Sequence, residues 1–158
     1  MLKNEQNNMN NNLSYREIIN NNDFFIATPV GTSMLPLIRE RIDTVRLVKI
    51  TRKLHKYDVI LYERPDGTFV LHRIIKVIRK NSQEKYVLCG DNQFYLEKYV
   101  NISSIIAVME GYYKGESYIP ITDKGYIRYS KRRVRTRLLR KLRYKLSQIY
   151  HKIFKKKK

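Results

Sequence analysis

The segment DVILYERPDGTFVLHRIIKV, residues 58–77, predicts a β-hairpin and indicates the fold class. Apolar residues fill most of Asp58 to Tyr62, which is typical of a short buried strand. Arg64-Pro-Asp-Gly67 places proline and glycine where β-turns favour them. Thr68 to Val77 is rich in β-branched and aromatic residues and predicts the returning strand.

Four further segments have the same character. Alternation of period two from Ile42 to Lys49 gives one mostly apolar face. Apolar runs also predict strands at Phe24 to Val30, Tyr86 to Cys89 and Ile105 to Tyr112. Short strands separated by turns, with little helix between them, indicate a mainly β domain, and 158 residues suit a single core.

The segment before the first strand is polar. Residues 3–12 are rich in asparagine, so we expect disorder there. Ser14 and Glu17 form a capping-box pattern, which predicts a short helix from Tyr15 to Asn20. The predicted organisation is therefore an Asn-rich leader at 1–22, a β domain at 23–127 and a distinct tail at 128–158.

The tail carries most of the net charge. Residues 128–158 contain 15 of the 33 lysines and arginines, and every acidic residue lies at or before Asp123. Apolar residues recur at steps of three or four, which predicts a basic amphipathic helix. The residues of this apolar stripe are Val134, Leu138, Leu142, Leu146, Ile149 and Ile153.

Three roles are open for this helix. Its apolar stripe can pack on the body of the protein, the whole helix can lie on an anionic membrane surface, or its cations can bind nucleic acid. The stripe favours the membrane over nucleic acid, because phosphate binding alone does not require an apolar face. We therefore expect a cytoplasmic protein that associates peripherally with membrane through 128–158.

Composition argues against several other classes. Cys89 is the only cysteine, so neither an intramolecular disulfide nor a cysteine-based zinc site is expected. No run approaches the roughly 20 apolar residues of a transmembrane helix, and the Asn-rich start does not resemble a secretory signal. The sequence implies no metal and no organic cofactor.

Three short motifs carry possible chemistry. Ser33 lies in Gly31-Thr-Ser-Met-Leu-Pro36, on a bend after an apolar strand, where backbone N–H groups can bind an oxyanion. A serine needs a base to act as a nucleophile, and His72 is the natural candidate. Asp91 or Glu97 is the candidate for the acid that orients the imidazole.

In their order, Gly-x-Ser-Met-x-Pro, Asp-Val-Ile-Leu-Tyr, His-Arg-Ile and Gly-Asp-Asn resemble the signal peptidase I superfamily, which includes the self-cleaving SOS repressors. The resemblance covers Phe24 to Tyr112. It implies a small, partly open, barrel-like peptidase domain. A histidine where the common bacterial enzymes have lysine resembles the serine–histidine branch.

The resemblance also implies roles for four residues. Ser33 would be the nucleophile and His72 the general base. Asp91 is expected to be required, because in the family it shapes the site around the dyad. Glu97 stands where the serine–histidine branch has an orienting aspartate.

The expected function is a serine endopeptidase that removes a leader or signal segment from a precursor peptide. The alternative is a catalytically inactive relative that binds membrane or nucleic acid through its basic tail.

Overall fold

The computed structural model describes residues 2–3, 14–80 and 83–154, which form a mainly β protein. Most of the predicted disordered leader lies outside these residues, whereas Lys3 is part of a short strand. The elements are β1 (Leu2–Lys3), α1 (Tyr15–Asn21), β2 (Phe24–Pro29), β3 (Thr44–Val48), β4 (Val59–Glu63), β5 (Phe69–Lys80), β6 (Gln83–Cys89), β7 (Glu97–Asn101), β8 (Ile105–Lys114), β9 (Ser117–Pro120), α2 (Lys124–Arg135) and α3 (Arg137–Phe154).

The described strands form an open antiparallel sheet in the order β1-β2-β3-β8-β4-β5-β6-β7, with β9 paired to β8. The predicted hairpin is confirmed as β4 and β5, with Leu61 opposite Leu71. Its turn is closed by the Arg64 N–H, which donates to the Thr68 carbonyl at 2.9 Å. Gly67 adopts φ +78°, a conformation that favours glycine.

The other predicted strands are present with small changes at their ends. The strand predicted from Ile42 begins at Thr44, because Asp43 is still in the preceding turn, where its N–H donates to the Arg39 carbonyl. Three of the described strands were not predicted, β1, β7 and β9. All three are short and lack a regular apolar face, so the local pattern does not reveal them.

The sheet buries both of its faces. Val59 and Leu61 belong to one apolar cluster, while Ile60 and Tyr62 belong to another. Successive side chains of a strand point to opposite faces. Burial on both sides therefore explains why β4 is apolar throughout instead of alternating.

The predicted N-terminal helix is confirmed as α1. The Ser14 hydroxyl accepts from the Glu17 N–H, and the Glu17 carboxylate accepts from the Ser14 N–H. Tyr15 and Ile19, four residues apart, are the buried residues of the helix. α1 therefore covers part of the first apolar cluster.

The C-terminal segment differs from the single tail helix that the sequence predicts. It forms two helices that meet at Thr136, and α2 begins at Lys124, ahead of the predicted boundary at 127/128. Tyr126 and Ser130 of α2 are buried, so this helix is part of the body. Leu138, Leu142, Leu146 and Ile149 of the stripe are exposed on α3. Among the described residues, no helix combines the length and the apolar character that a membrane span requires.

Candidate active site

Ser33 lies on a tight turn after β2. Gly31 adopts φ +104°, which explains the glycine two residues before the serine. The turn continues with the Leu35 N–H donating to the Thr32 carbonyl and the Ile38 N–H donating to the Met34 carbonyl. Met34 is buried while Ser33 is partly exposed. The methionine thus anchors the turn that presents the serine.

His72 lies on β5 and is 1% exposed. Its Nδ1 is 3.1 Å from Glu97 Oε1 and 3.5 Å from the Tyr62 hydroxyl, so the carboxylate is the closer partner. Its Nε2 is buried and has no hydrogen-bond partner. An imidazole that donates from Nδ1 to a carboxylate has Nε2 as its proton acceptor, which is the state a general base requires.

Glu97, at the start of β7, is held as a carboxylate. Arg64 donates from both Nε and Nη2 to its two oxygens. Burial alone would raise the pKa of Glu97, but hydrogen bonds from His72, Arg64 and Tyr62 outweigh burial and hold it well below its usual range. Glu97 therefore fits the role of the orienting acid.

The serine turn and His72 approach each other closely at Gly90. The Asn92 N–H donates to the Ser33 carbonyl at 2.7 Å. A Cβ at Gly90 would lie 2.8 Å from that carbonyl oxygen and 3.0 Å from His72 Nε2. A side chain at position 90 would therefore collide with these two atoms, so glycine is needed here. The Ser33 carbonyl and His72 Nε2 border the same small space. In this structure the two side chains are not directly hydrogen-bonded, since Nε2 has no partner.

Asp91 does not contact His72 through its carboxylate. It forms a buried, two-pronged ion pair with Arg73, at 2.8 Å for each hydrogen bond, and accepts a further bond from the Tyr129 hydroxyl. Of the two candidate acids, geometry therefore assigns Glu97 to the imidazole. Asp91 instead secures the neighbouring arginine.

Arg73 connects the site to α2. Its Nη1 donates to Ser130 Oγ at 2.8 Å and to the Tyr126 hydroxyl at 3.2 Å. As adjacent residues of β5, His72 and Arg73 point to opposite faces of the sheet. One strand, β5, thus connects the face that carries His72 to the face on which α2 packs.

Arginines of α2 and α3 bind the backbone of the loops that carry Ser33 and Asp91. Arg133 donates to the Asp91 carbonyl at 2.6 Å and to the Leu35 carbonyl at 3.4 Å. Arg140 also donates to the Asp91 carbonyl, at 3.2 Å. Sequence reasoning missed these arginines, because nothing distinguishes them locally from the other cations of the tail.

Comparisons of the chain with family models, curated proteins and solved structures found no match. A functional assignment therefore depends on the arrangement of Ser33, His72 and Glu97 and on the order of the short motifs.

Proposed function

We propose that this chain is a serine endopeptidase of the signal peptidase I type, with the partly open barrel-like fold of that family, that cleaves a leader or signal segment from a precursor peptide. One observation carries the proposal. The Nδ1 of His72 is paired with the Glu97 carboxylate, while its unpartnered Nε2 borders the gap at Gly90 that the backbone carbonyl of Ser33 also borders.

In the proposed reaction, Ser33 Oγ attacks the scissile carbonyl carbon and its proton passes to His72 Nε2. Backbone N–H groups of the serine turn stabilise the oxyanion. Glu97 stabilises the imidazolium, which then protonates the leaving amine as the C–N bond breaks. Water, activated by the same histidine, hydrolyses the acyl-enzyme. Catalytic hydrogen bonds often tighten only when substrate binds, so the proposed mechanism does not require a Ser33–His72 hydrogen bond in the free protein.

Labelling with a fluorophosphonate, read by intact mass, tests the nucleophile. We expect one adduct on the wild type, no adduct on Ser33→Ala and slower labelling of His72→Ala, because the base activates the hydroxyl. Ser117→Ala, an exposed serine on β9, is the matched control and should label like the wild type.

An adduct that persists in Ser33→Ala would contradict the assignment of the nucleophile. No labelling of the wild type, even with anionic vesicles present, would favour the inactive binding module.

We also propose that α3 associates with anionic membrane. Four apolar side chains of its stripe, Leu138, Leu142, Leu146 and Ile149, are 54–67% exposed. No acidic residue lies in α3, and its remaining faces carry arginine and lysine. An exposed apolar stripe flanked by cations suits insertion at the headgroup boundary of an anionic bilayer.

Sedimentation with phosphatidylglycerol vesicles tests this surface. We expect binding that persists in part at about 0.5 M salt, where electrostatic attraction is strongly screened. Leu142→Ser/Leu146→Ser should abolish this salt-resistant part, whereas Lys141→Gln/Lys145→Gln should weaken mainly the salt-sensitive part. Binding to duplex DNA that falls steeply with salt, with no vesicle binding, would instead indicate a nucleic-acid partner.

A further inference from the structure

A cavity of about 490 Å³ lies between α2, α3 and the serine turn. Four arginines line it, Arg132 and Arg133 from α2 and Arg140 and Arg143 from α3. Pro36 and Tyr129 contribute apolar and aromatic wall. None of the lining residues is acidic, so the cavity has strongly positive walls without a balancing carboxylate of its own.

One arginine of the cavity has a buried donor that the protein does not satisfy. Arg140 Nε is buried and has no hydrogen-bond partner. Burial, followed by the nearby charge of Arg133, lowers the pKa of Arg140. The Asp91 carboxylate, which is bound to Arg73 and Tyr129, offsets this lowering only in part. A buried donor without an acceptor costs free energy, and an anion in the cavity would supply the acceptor.

The cavity adjoins the candidate nucleophile. Pro36 in its wall follows Ser33 by three residues, so their Cα atoms lie within about 11 Å. An extended peptide spans that upper limit in about three or four residues. Arg133 also donates to the Leu35 carbonyl, which connects the cavity wall directly to the turn that carries Ser33.

We propose that this cavity binds a carboxylate of the peptide substrate, an aspartate or glutamate within about four residues of the scissile bond. Guanidinium groups bind carboxylates through paired hydrogen bonds, and the apolar wall suits the methylene groups of an acidic side chain. The inference that a carboxylate binds here depends only on the residues that line the cavity. Its role in substrate choice rests on the proposed peptidase function.

NMR of the arginine Nε–H groups in the full chain tests the site without catalysis. In about 0.15 M salt, which screens distant charges, we expect N-acetylglutamate amide to shift the Arg140 resonance saturably and N-acetylglutamine amide to leave it unchanged. Arg132→Gln/Arg143→Gln should weaken the binding at least about tenfold, because each removes a charged donor. Arg128→Gln/Lys131→Gln, exposed on α2 outside the cavity, is the matched control and should bind like the wild type.

Equal shifts from both amides, or equal weakening in the control variant, would overturn the proposal. Saturable shifts from dihexanoyl phosphatidylglycerol, without shifts from N-acetylglutamate amide, would replace it with a lipid headgroup site. Cleavage of a randomised peptide mixture then tests substrate choice. If the wild type cleaves peptides without enrichment of acidic residues, the role of the cavity in substrate choice is refuted but the peptidase function is not. If neither cleavage nor labelling of Ser33 is seen, the peptidase function is refuted but the carboxylate site is not.

Discussion

Glu97→Gln is expected to reduce Ser33 acylation and peptide cleavage by roughly 10³- to 10⁴-fold, the loss that follows when the orienting acid of a serine–histidine pair becomes an amide. The amide does not stabilise the imidazolium, and it permits the tautomer that has its proton on Nε2. Because Glu97 Oε1 is 3.1 Å from His72 Nδ1, the effect arises at the base itself. The rate of fluorophosphonate labelling measures it directly.

Glu84→Gln is the matched control, since Glu84 forms its ion pairs with Arg79 and Lys53 and not with His72. It should label at a rate close to that of the wild type. A Glu97→Gln rate within about threefold of the wild type would contradict the assigned role, because a hydrogen bond to a charged group contributes more than that.

Glu97→Gln should also change how the free energy of unfolding depends on pH. The pKa of Glu97 is lowered in the folded protein, so the carboxylate stabilises the fold above the ordinary glutamate pKa of about 4.3. This contribution is lost as the pH falls below that value, toward the lowered pKa. Urea unfolding should therefore show that Glu97→Gln loses less stability between neutral pH and pH about 3 than the wild type; equal losses would contradict this.

Asp91→Asn is expected to lower the free energy of unfolding by about 3–5 kcal/mol, the range for breaking a buried ion pair by removing one partner. Arg73 is fully buried, and the substitution leaves its charge without a counter-ion. Urea unfolding monitored by circular dichroism measures the loss. We also expect slower labelling of Ser33, because Gly90, next to Asp91, leaves the small space that the Ser33 carbonyl and His72 Nε2 border.

Two further variants test whether the loss of stability comes from the unpaired charge of Arg73. Asp58→Asn removes an ion pair with the more exposed Arg52 and should cost much less. Arg73→Met/Asp91→Leu removes both charges and should recover a large part of the loss, because no unpaired charge remains. A loss below about 1 kcal/mol for Asp91→Asn would show that the pair carries little stability.

The features predicted from sequence alone are those that local physics determines. The β4–β5 hairpin follows from apolar strand residues around a Pro-Asp-Gly turn, and the start of α1 follows from the Ser14–Glu17 capping box. Ser33 and His72 stand out because their motifs are local. The apolar stripe of α3 also follows from helical periodicity, whereas its exposure is visible only in the folded structure.

Tertiary structure decided which acid meets the histidine. Asp91 and Glu97 are both carboxylates beyond β6, and no local pattern distinguishes them. The pairing of β7 with β6 places Glu97 opposite Leu88 and within reach of His72, while α2 and Arg73 surround Asp91. The division of the tail at Thr136, and the role of α2 in the body, likewise arise from contacts between residues far apart in the chain. Such contacts depend on strand register and on helix docking, so a local sequence pattern does not contain them.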